Sequence, residues 1–420
     1  MNQAKTLHLT NAYHASSGGV ATSYRALLKE ADRCGRAMRL VVPSDRDDVE
    51  QVGEFCRIYH VAAPRSKLFD TRYRTIWPQR YLIGRSSRIW EILTAEQPDL
   101  LEVRDKFCLN WLGGLFRKGW SGAVKRPVLV ASSSERLDDL MSAYVAKAKP
   151  ITRFARWYMR YCYIPLFDFH TANSEYTAQE IHQAMTPRHA RPVMVCPEGV
   201  DCDRFRPDQH DKSLRKALLN RVGGNERSLL LLYSGRLSPE KNLGLLSGAM
   251  ARLNDAGQDY RLIVAGDGPY AGQLRRDLET NAAGRFLFLG HISDRDQLAR
   301  LYASCDIFVH PNPREPFGIA PLEAMASGLA LVAPDSGGIL SYAEQSCCRL
   351  VPPVPEAFAE AICSAADDDA RATIRIAARK AAEKHNWPIV ASRLFQLFDR
   401  LVECRDNLVN PALAVSCTYG

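Results

Sequence analysis

Short apolar runs alternate with amphipathic stretches along almost the whole chain. In the first half the runs stand at Leu7–Thr10, Met38–Val42, Arg57–Val61, Leu100–Val103, Val128–Ala131 and Phe167–Thr171. Each is short and flanked by polar or Gly/Pro-containing residues, the pattern of a buried strand. Between them the period changes. After Gly18-Gly19, apolar residues recur at Val20, Tyr24, Leu27, Leu28 and Ala31, which lie on one face of a helix and predict one from Val20 to Cys34. The second half repeats the scheme, with runs at Leu229–Tyr233, Arg261–Ala265, Phe286–Leu289, Ile307–His310 and Leu331–Ala333. Strands alternating with helices predict an α/β protein with parallel sheets covered on both faces, whose ligands bind beyond the carboxyl ends of the strands.

Length decides how many such sheets there are. At 420 residues the chain exceeds what one hydrophobic core usually spans, so two domains are expected. The polar segment Pro207–Ser228, with Gly223-Gly224 inside it, reads as a connection near the boundary. The expected division is 1–205, 206–385, and a tail from 386 to 420 that is helical in pattern from Trp387-Pro388 through Cys404.

Composition narrows the class. The chain is 46% hydrophobic and 24% charged, ordinary for a soluble globular protein. No apolar run approaches the eighteen or so residues of a membrane span. Met1–Thr10 lacks the apolar core of a signal peptide, so a cytoplasmic protein is expected, with peripheral membrane attachment open. The twelve cysteines include no Cys-x-x-Cys and no paired Cys/His spacing of the kind zinc needs. Free thiols are the expectation for residues such as Cys196, Cys305 and Cys363, and adjacent Cys347-Cys348 rarely form a bridge.

The richest chemistry lies in Glu315-Pro-Phe-Gly-Ile-Ala-Pro-Leu-Glu323, which places two carboxylates at opposite ends of a Gly-containing turn entering a helix. Phe317, Gly318 and Ile319 can offer backbone N–H groups at the helix start, where the helix dipole favours a phosphate or a sugar oxygen. Glu323 lies more than a turn beyond Glu315, a spacing that suits two groups of one ligand better than two carboxylates on one atom. Each residue alone also has a plain reading, as a capping acid or an exposed helical one.

The pattern of two glutamates with seven residues between them resembles the signature of the retaining nucleotide-sugar glycosyltransferases of family four (group 1), which adopt the GT-B fold of two Rossmann-like domains. Further segments follow in that family's order. Tyr233-Ser-Gly-Arg-Leu-Ser-Pro-Glu-Lys-Asn242 resembles its phosphate-binding segment, which implies that Arg236 and Lys241, beside Gly235, grip the donor diphosphate. Ala265-Gly-Asp-Gly-Pro269 and Leu289-Gly-His-Ile292 come next, implying donor contacts at Gly266 and at the backbone of His291 and Ile292. Ser17-Gly18-Gly19-Val20 matches the glycine loop near the donor phosphate, and Gly199-Val-Asp201 the usual exit from the first domain.

From this resemblance the donor site comprises Gly18, Gly19, Gly235, Arg236, Lys241, Gly266, His291, Ile292, Glu315, Phe317, Gly318, Ile319, Leu322 and Glu323, with Glu315, Arg236 and Lys241 catalytic. The implied reaction is retaining transfer by front-face substitution from a nucleotide diphosphate sugar, UDP-linked in preference to GDP-linked, to an acceptor hydroxyl in the cleft between domains. No metal or other cofactor is expected, because no Asp-x-Asp motif stands at the donor site and Arg236 and Lys241 supply positive charge there. The terminal helix is expected to return to the first domain, as in GT-B proteins. One departure stands out. Many relatives carry a His at the end of a first-domain strand where this chain reads Leu129-Val-Ala-Ser-Ser-Ser-Glu-Arg-Leu-Asp-Asp139. Glu135 is the substitute considered for sugar or acceptor contact, against the reading of a helix start with its usual acids. A GT-B epimerase, which needs no acceptor, and a silent nucleotide-binding protein are the other readings.

Charge suggests a partner. The net charge is +8, and it is concentrated. Arg65, Lys67, Arg72, Arg74, Arg80, Arg85 and Arg88 face one acid, Asp70, among Phe69, Tyr73, Trp77 and Tyr81. Lys147, Lys149, Arg153, Arg156 and Arg160 are mixed with Phe154, Trp157, Tyr158 and Tyr161, with no acid from Val145 to Pro165. Basic and aromatic residues together suit an anionic membrane surface, here through 65–90 and 147–161, and hence a lipid or lipid-linked acceptor. The plain alternative is a solvated helix face with buried aromatics. No motif reads nucleic acid bases, and no nucleic acid partner is expected.

Overall fold

A computed structural model of the chain describes residues 3–13, 18–66, 73–83, 87–144, 149–187 and 191–404. It divides into two compact units, Met1–Pro197 with Pro388–Gly420, and Glu198–Trp387. These divisions fall several residues from the expected 205/206 and close to the expected 385/386. The reason is local pairing: Val200 N–H donates to His385 O at 2.9 Å and Trp387 N–H to Val200 O at 3.2 Å. The two segments that enter and leave the second unit are thereby zipped together, well before Phe205.

The first unit is built on an eight-stranded sheet of β1 (Thr6–Thr10), β2 (Met38–Ser44), β3 (Asp48–Val52), β4 (Cys56–Ala62), β5 (Leu100–Arg104), β6 (Val128–Ser133), β7 (Phe169–Ala172) and β8 (Val193–Val195). Its order is β3-β4-β2-β1-β5-β6-β7-β8. All neighbours pair in parallel except β3 and β4, which are antiparallel. Every residue of β1, β6 and β7 is buried, as expected of central strands with helices on both faces. β3 and β8 were not among the expected strands. β3 reads Asp-Val-Glu-Gln-Val and lies at the sheet edge with mostly exposed residues, so no apolar run marks it; β8 has only three residues.

The second unit carries a wholly parallel six-stranded sheet of β9 (Leu229–Ser234), β10 (Tyr260–Ala265), β11 (Phe286–Gly290), β12 (Ile307–Val309), β13 (Ala330–Pro334) and β14 (Arg349–Val351), in the order β11-β10-β9-β12-β13-β14. β9 shows why both faces are covered. Leu230 and Leu232 enter one cluster with Phe308 and Leu322, whereas Leu231 and Tyr233 enter another with Leu246 and Phe358. Within the expected connection Pro207–Ser228 lies a helix, Lys212–Arg221, capped by the Asp211 carboxylate and anchored in the core by Leu218 and Leu219. Its few apolar residues, spread among Lys and Arg, hide the helical period.

Strand order reverses at β1/β5 in one sheet and at β9/β12 in the other, so a crevice opens at the carboxyl ends of those strands. The helix Trp387–Glu403 belongs from Pro388 onward to the first unit. There Asp399 pairs with buried Arg36 and accepts the Ala4 N–H at 2.9 Å, while Phe398 lies 5.8 Å from the His8 ring. Among the described residues no helix is long and apolar enough to cross a membrane.

Candidate functional site

At the carboxyl end of β9 the chain turns through Gly235, and Arg236 follows with its carbonyl held by the Tyr233 hydroxyl at 3.0 Å. The neighbouring loop after β10 packs directly on this turn. Gly235 N–H donates to Ala265 O and Leu237 N–H to Asp267 O, both at 3.0 Å. A Cβ at Gly266 would stand 1.9 Å from Gly235 O. Gly266 is itself buried, so its place in the sequence is explained by close backbone approach. The short 3-10 turn Pro239–Lys241 then carries Lys241 back toward β12, and the Asn242 side chain fixes it by donating to Pro311 O at 3.0 Å.

β12 delivers the other half. Beyond it, His310, Asn312 and Glu315 converge on Lys241. Lys241 Nζ donates to Glu315 Oε2 at 2.9 Å and Oε1 at 3.1 Å, Asn312 Nδ2 donates to Oε2 at 3.0 Å, and His310 Nε2 stands 3.6 Å from Oε2. Burial is the largest single influence and raises the carboxyl's pKa, but the Lys241 charge, His310 and the hydrogen bonds from Lys241 and Asn312 together outweigh it, and Glu315 is lowered to about 2. Burial lowers His310 to about 4 despite the carboxylate. At neutral pH the cluster therefore holds an ionised Glu315 and a neutral His310 imidazole.

The helix Ile319–Ala326 starts beside this cluster. Its N-cap is Gly318, at φ +88°, where a Cβ would meet the Tyr342 hydroxyl at 3.0 Å and Glu315 Cγ at 3.2 Å. Tyr342 OH donates to Gly318 O at 2.6 Å, and Gly338 N–H donates to Glu315 O at 2.7 Å, so the turn is held from below. No side chain caps the helix, and its first N–H groups form an anion-attracting end. Phe317 and Leu322 are buried in the core, which confines any ligand contact from them to the backbone.

Glu323, 4% exposed, accepts from Arg295 Nη2 at 2.6 Å. The Arg295 guanidinium lies 4.8 Å from the Phe205 ring centre. Burial raises Glu323 above the ordinary carboxylate range, with Arg295 opposing the rise. His291 is exposed and Ile292 half-buried at the end of β11, four and three residues before Arg295. Sequence reading did not single out Arg295 or Asn312. Asn312 stands only three residues before its partner Glu315, a local spacing that could have marked it; Arg295 directly follows the Asp294 cap of the helix Arg295–Ala303 and carries no local sign of Glu323, 28 residues away.

Gly18, Gly19 and Glu135 belong to the other unit. Gly18 and Gly19 are exposed at the start of the helix Gly18–Arg33, and Ser17 lies outside the described residues. Glu135 is exposed beyond β6, in a firmly held turn. Its carbonyl accepts from Lys106 Nζ and from Ser133 Oγ, while Lys106 pairs with buried Glu180 at 2.6 Å. Glu180 Oε1 also accepts the Leu137 and Asp138 N–H groups at 2.6 and 3.1 Å. Asp138 and Asp139 fill the first turn of the helix Leu137–Tyr144, Asp138 pairing with Arg136 at 2.6 Å and Asp139 accepting from Tyr176. For these two acids the helix-start reading is therefore the observed one.

Comparison with known proteins bears on the same two units. The family model described as Glycosyltransferase Family 4 matches residues 17–204, and that described as Glycosyl transferases group 1 matches 215–384. A GDP-mannose-dependent alpha-(1-6)-phosphatidylinositol dimannoside mannosyltransferase of Mycobacterium tuberculosis is 29% identical over 401 residues, covering 93% of this chain and 94% of that protein. An alpha-monoglucosyldiacylglycerol synthase of Streptococcus pneumoniae is 26% identical over 326 residues, 77% and 69% of the two chains. Among solved structures, sucrose-phosphate synthase from Thermosynechococcus elongatus superposes with a TM-score of 0.75 at 20% identity, covering 95% of this chain and 100% of that one. A sheet-end crevice with paired charges beside a helix start, found inside a chain that these two models account for almost throughout, identifies it as a family-four, group 1 glycosyltransferase of the GT-B fold.

Proposed function

We propose that the enzyme transfers a sugar, with retention at the anomeric carbon, from a nucleoside diphosphate sugar to a hydroxyl of a lipid-linked acceptor. The observation that carries this reading is the Lys241–Glu315–Asn312 cluster at the β9/β12 switch point, beside the uncapped start of the Ile319–Ala326 helix. The diphosphate would lie at that helix start, with Arg236 and Lys241 neutralising the charge that grows on the leaving phosphate, a role a divalent ion fills in other transferases. Glu323 would receive the ribose hydroxyls. The bond from the anomeric carbon to the phosphate oxygen breaks while the acceptor oxygen bonds to the same face, and the departing phosphate takes the acceptor proton.

One relative that matches nearly end to end is named for GDP-mannose and a phosphatidylinositol mannoside, and the Streptococcus pneumoniae relative for a diacylglycerol product. These names favour GDP-mannose over the UDP-sugar preferred from sequence, and they favour a lipid acceptor. Glu135 is proposed to touch the sugar or the acceptor; unchanged kinetics in Glu135→Gln would remove it from the site. The donor is tested by thermal midpoints with saturating GDP, UDP and ADP, since a ligand of the folded state stabilises it by mass action. A rise with GDP that is lost in Glu323→Ala supports the reading. A rise with UDP alone moves the donor to UDP-sugars, and no rise with any nucleotide refutes it.

A further inference from the structure

The helix Lys149–Tyr158 and the π turn Met159–Tyr163 that continues it have more apolar surface than the core uses. Ala155, Met159, Tyr163 and Ile164 are buried and serve the interior of the first unit. On another side Phe154 and Trp157 are each 51% exposed and Tyr161 is 59% exposed. The exposed rings form a continuous row. Phe154 stacks on Trp157 at 5.9 Å, Trp157 lies 6.1 Å from Tyr161, Phe154 lies 6.5 Å from Tyr158, and Tyr158 stacks on Phe107 at 6.4 Å. Arg153 and Arg156 are exposed among them, and no Asp or Glu occurs from 149 through 167.

The other basic and aromatic cluster differs. Tyr81 and Trp90 are buried, Tyr81 donating to Cys108 O and Trp90 Nε1 to Tyr81 O. Arg74 and Arg80 donate to the carbonyls of Ala63 and Ala62. There the plain reading holds for these residues, while Lys67, Phe69, Asp70, Arg72 and Arg85 lie outside the described residues. Of the two segments expected to meet a membrane, 147–161 is the one whose described residues present both rings and charge to solvent.

We propose that this aromatic and arginine face docks the first unit on an anionic lipid bilayer. Half-exposed rings on one side of a helix suit the interface between headgroups and acyl chains, where Trp and Tyr find both an apolar and a wet environment. Arginines between them reach the headgroup phosphates while their stems remain among the rings. The single sign of charge selects an anionic surface over a zwitterionic one. Rings already packed on one another at about 6 Å leave no slot for a nucleic acid base between them, which disfavours that polyanion. The surface is independent of the donor chemistry proposed above and explains how a soluble unit would reach a lipid-linked hydroxyl.

The test is co-sedimentation of the full chain with vesicles of phosphatidylglycerol mixed equally with phosphatidylcholine, and with phosphatidylcholine alone, at low and high salt. Wild type binds the anionic vesicles at low salt only. Arg153→Gln/Arg156→Gln weakens binding roughly 30-fold, from about one arginine's worth of surface attraction each. Trp157→Ala/Tyr161→Ala weakens it at least about tenfold. Both pairs of changes sit on exposed side chains, and an unchanged thermal midpoint and nucleotide response show that each variant is folded. The proposal is overturned if wild type does not sediment, if either variant binds as well as wild type, or if both vesicle types bind equally. It is likewise overturned if the face instead supports a concentration-dependent dimer lost in the aromatic variant. In the wild type, no vesicle binding with an intact nucleotide response refutes the docking surface and leaves the donor reading standing; vesicle binding without a nucleotide response refutes only the donor reading.

Discussion

Replacing Lys241 by Met keeps the length of the side chain and removes its charge from beside Glu315. An ordinary glutamate titrates near 4.5 and Glu315 near 2; that difference corresponds to roughly 3 kcal/mol of stability. The Glu315 carboxyl side chain is 12% exposed, so little solvent can replace the lost partner, and breaking a buried pair from one side costs a similar 3–5 kcal/mol or so. The expected loss is therefore about 3 kcal/mol at pH 7.5, or roughly 6–12 °C in the midpoint of a unit of this size. The sign with pH follows from the depressed carboxyl. Its stabilisation is fully present above about 4.5 and is lost as pH falls toward about 2, so the gap between wild type and variant closes over that window. Thermal and urea unfolding from pH 7.5 down to 3, with Lys241→Met, Glu315→Gln and the double variant, measures this. The double variant should recover at least half the loss, because a neutral amide needs no ammonium. A Lys241→Met protein within about 0.5 kcal/mol of wild type at pH 7.5, or a double variant no better than the single one, refutes the reasoning.

Gly266→Ala should destabilise the second unit by at least about 2 kcal/mol, because its Cβ lands on Gly235 O; Gly272→Ala, whose nearest neighbour is an arginine tip at 3.7 Å, should be neutral or mildly stabilising in urea titrations. Arg295→Met removes the charge that opposes the raised pKa of Glu323, so GDP affinity by calorimetry should fall at a higher pH than in wild type as pH is lowered; parallel profiles would remove Arg295 from the site. Glu315→Gln releases Lys241 from its carboxylate, so GDP should bind the variant more tightly while turnover falls about 100-fold or more; weaker GDP binding would mean that Glu315 helps to hold the diphosphate site open.

What was legible in the sequence was what repeats locally. Strands such as β12 and β13 are buried along their whole length and so are written as unbroken apolar runs. β3 was hidden because an exposed edge strand has no apolar run to show, and the helix Lys212–Arg221 because two core leucines suffice to anchor it. At the site, Glu315, Gly318 and Glu323 stand close together in one segment and could be read as a unit. The pairing of Lys241 with Glu315 spans 74 residues and that of Arg295 with Glu323 spans 28. Such pairs are made by the β9/β12 switch point and by helix packing, which no local spacing encodes. The two basic and aromatic clusters looked alike for the same reason: composition is local, whereas the burial of Tyr81 and the exposure of Trp157 depend on what packs against each helix.

The site keeps its charges in pairs, Lys241 with Glu315 and Arg295 with Glu323. Neither pair is fully buried: the cation of each is 23% and 33% exposed, whereas the acids are 12% and 5% exposed. The cations are thus the more solvent-accessible partner of each pair. A diphosphate entering beside the Ile319 helix start would therefore meet positive charge first, and each carboxylate would remain within reach to accept sugar or ribose hydroxyls. Such an arrangement lets binding exchange one partner for another instead of exposing a bare charge. It would avoid the penalty of an unpaired buried carboxylate and, on the proposed function, would leave the electrostatics aimed in advance at the leaving group. The same logic explains why the scaffold beneath, Tyr342 on Gly318 and Gly338 on Glu315, is made of hydrogen bonds to backbone carbonyls: it fixes the turn without adding a charge that would compete with the pairs above it.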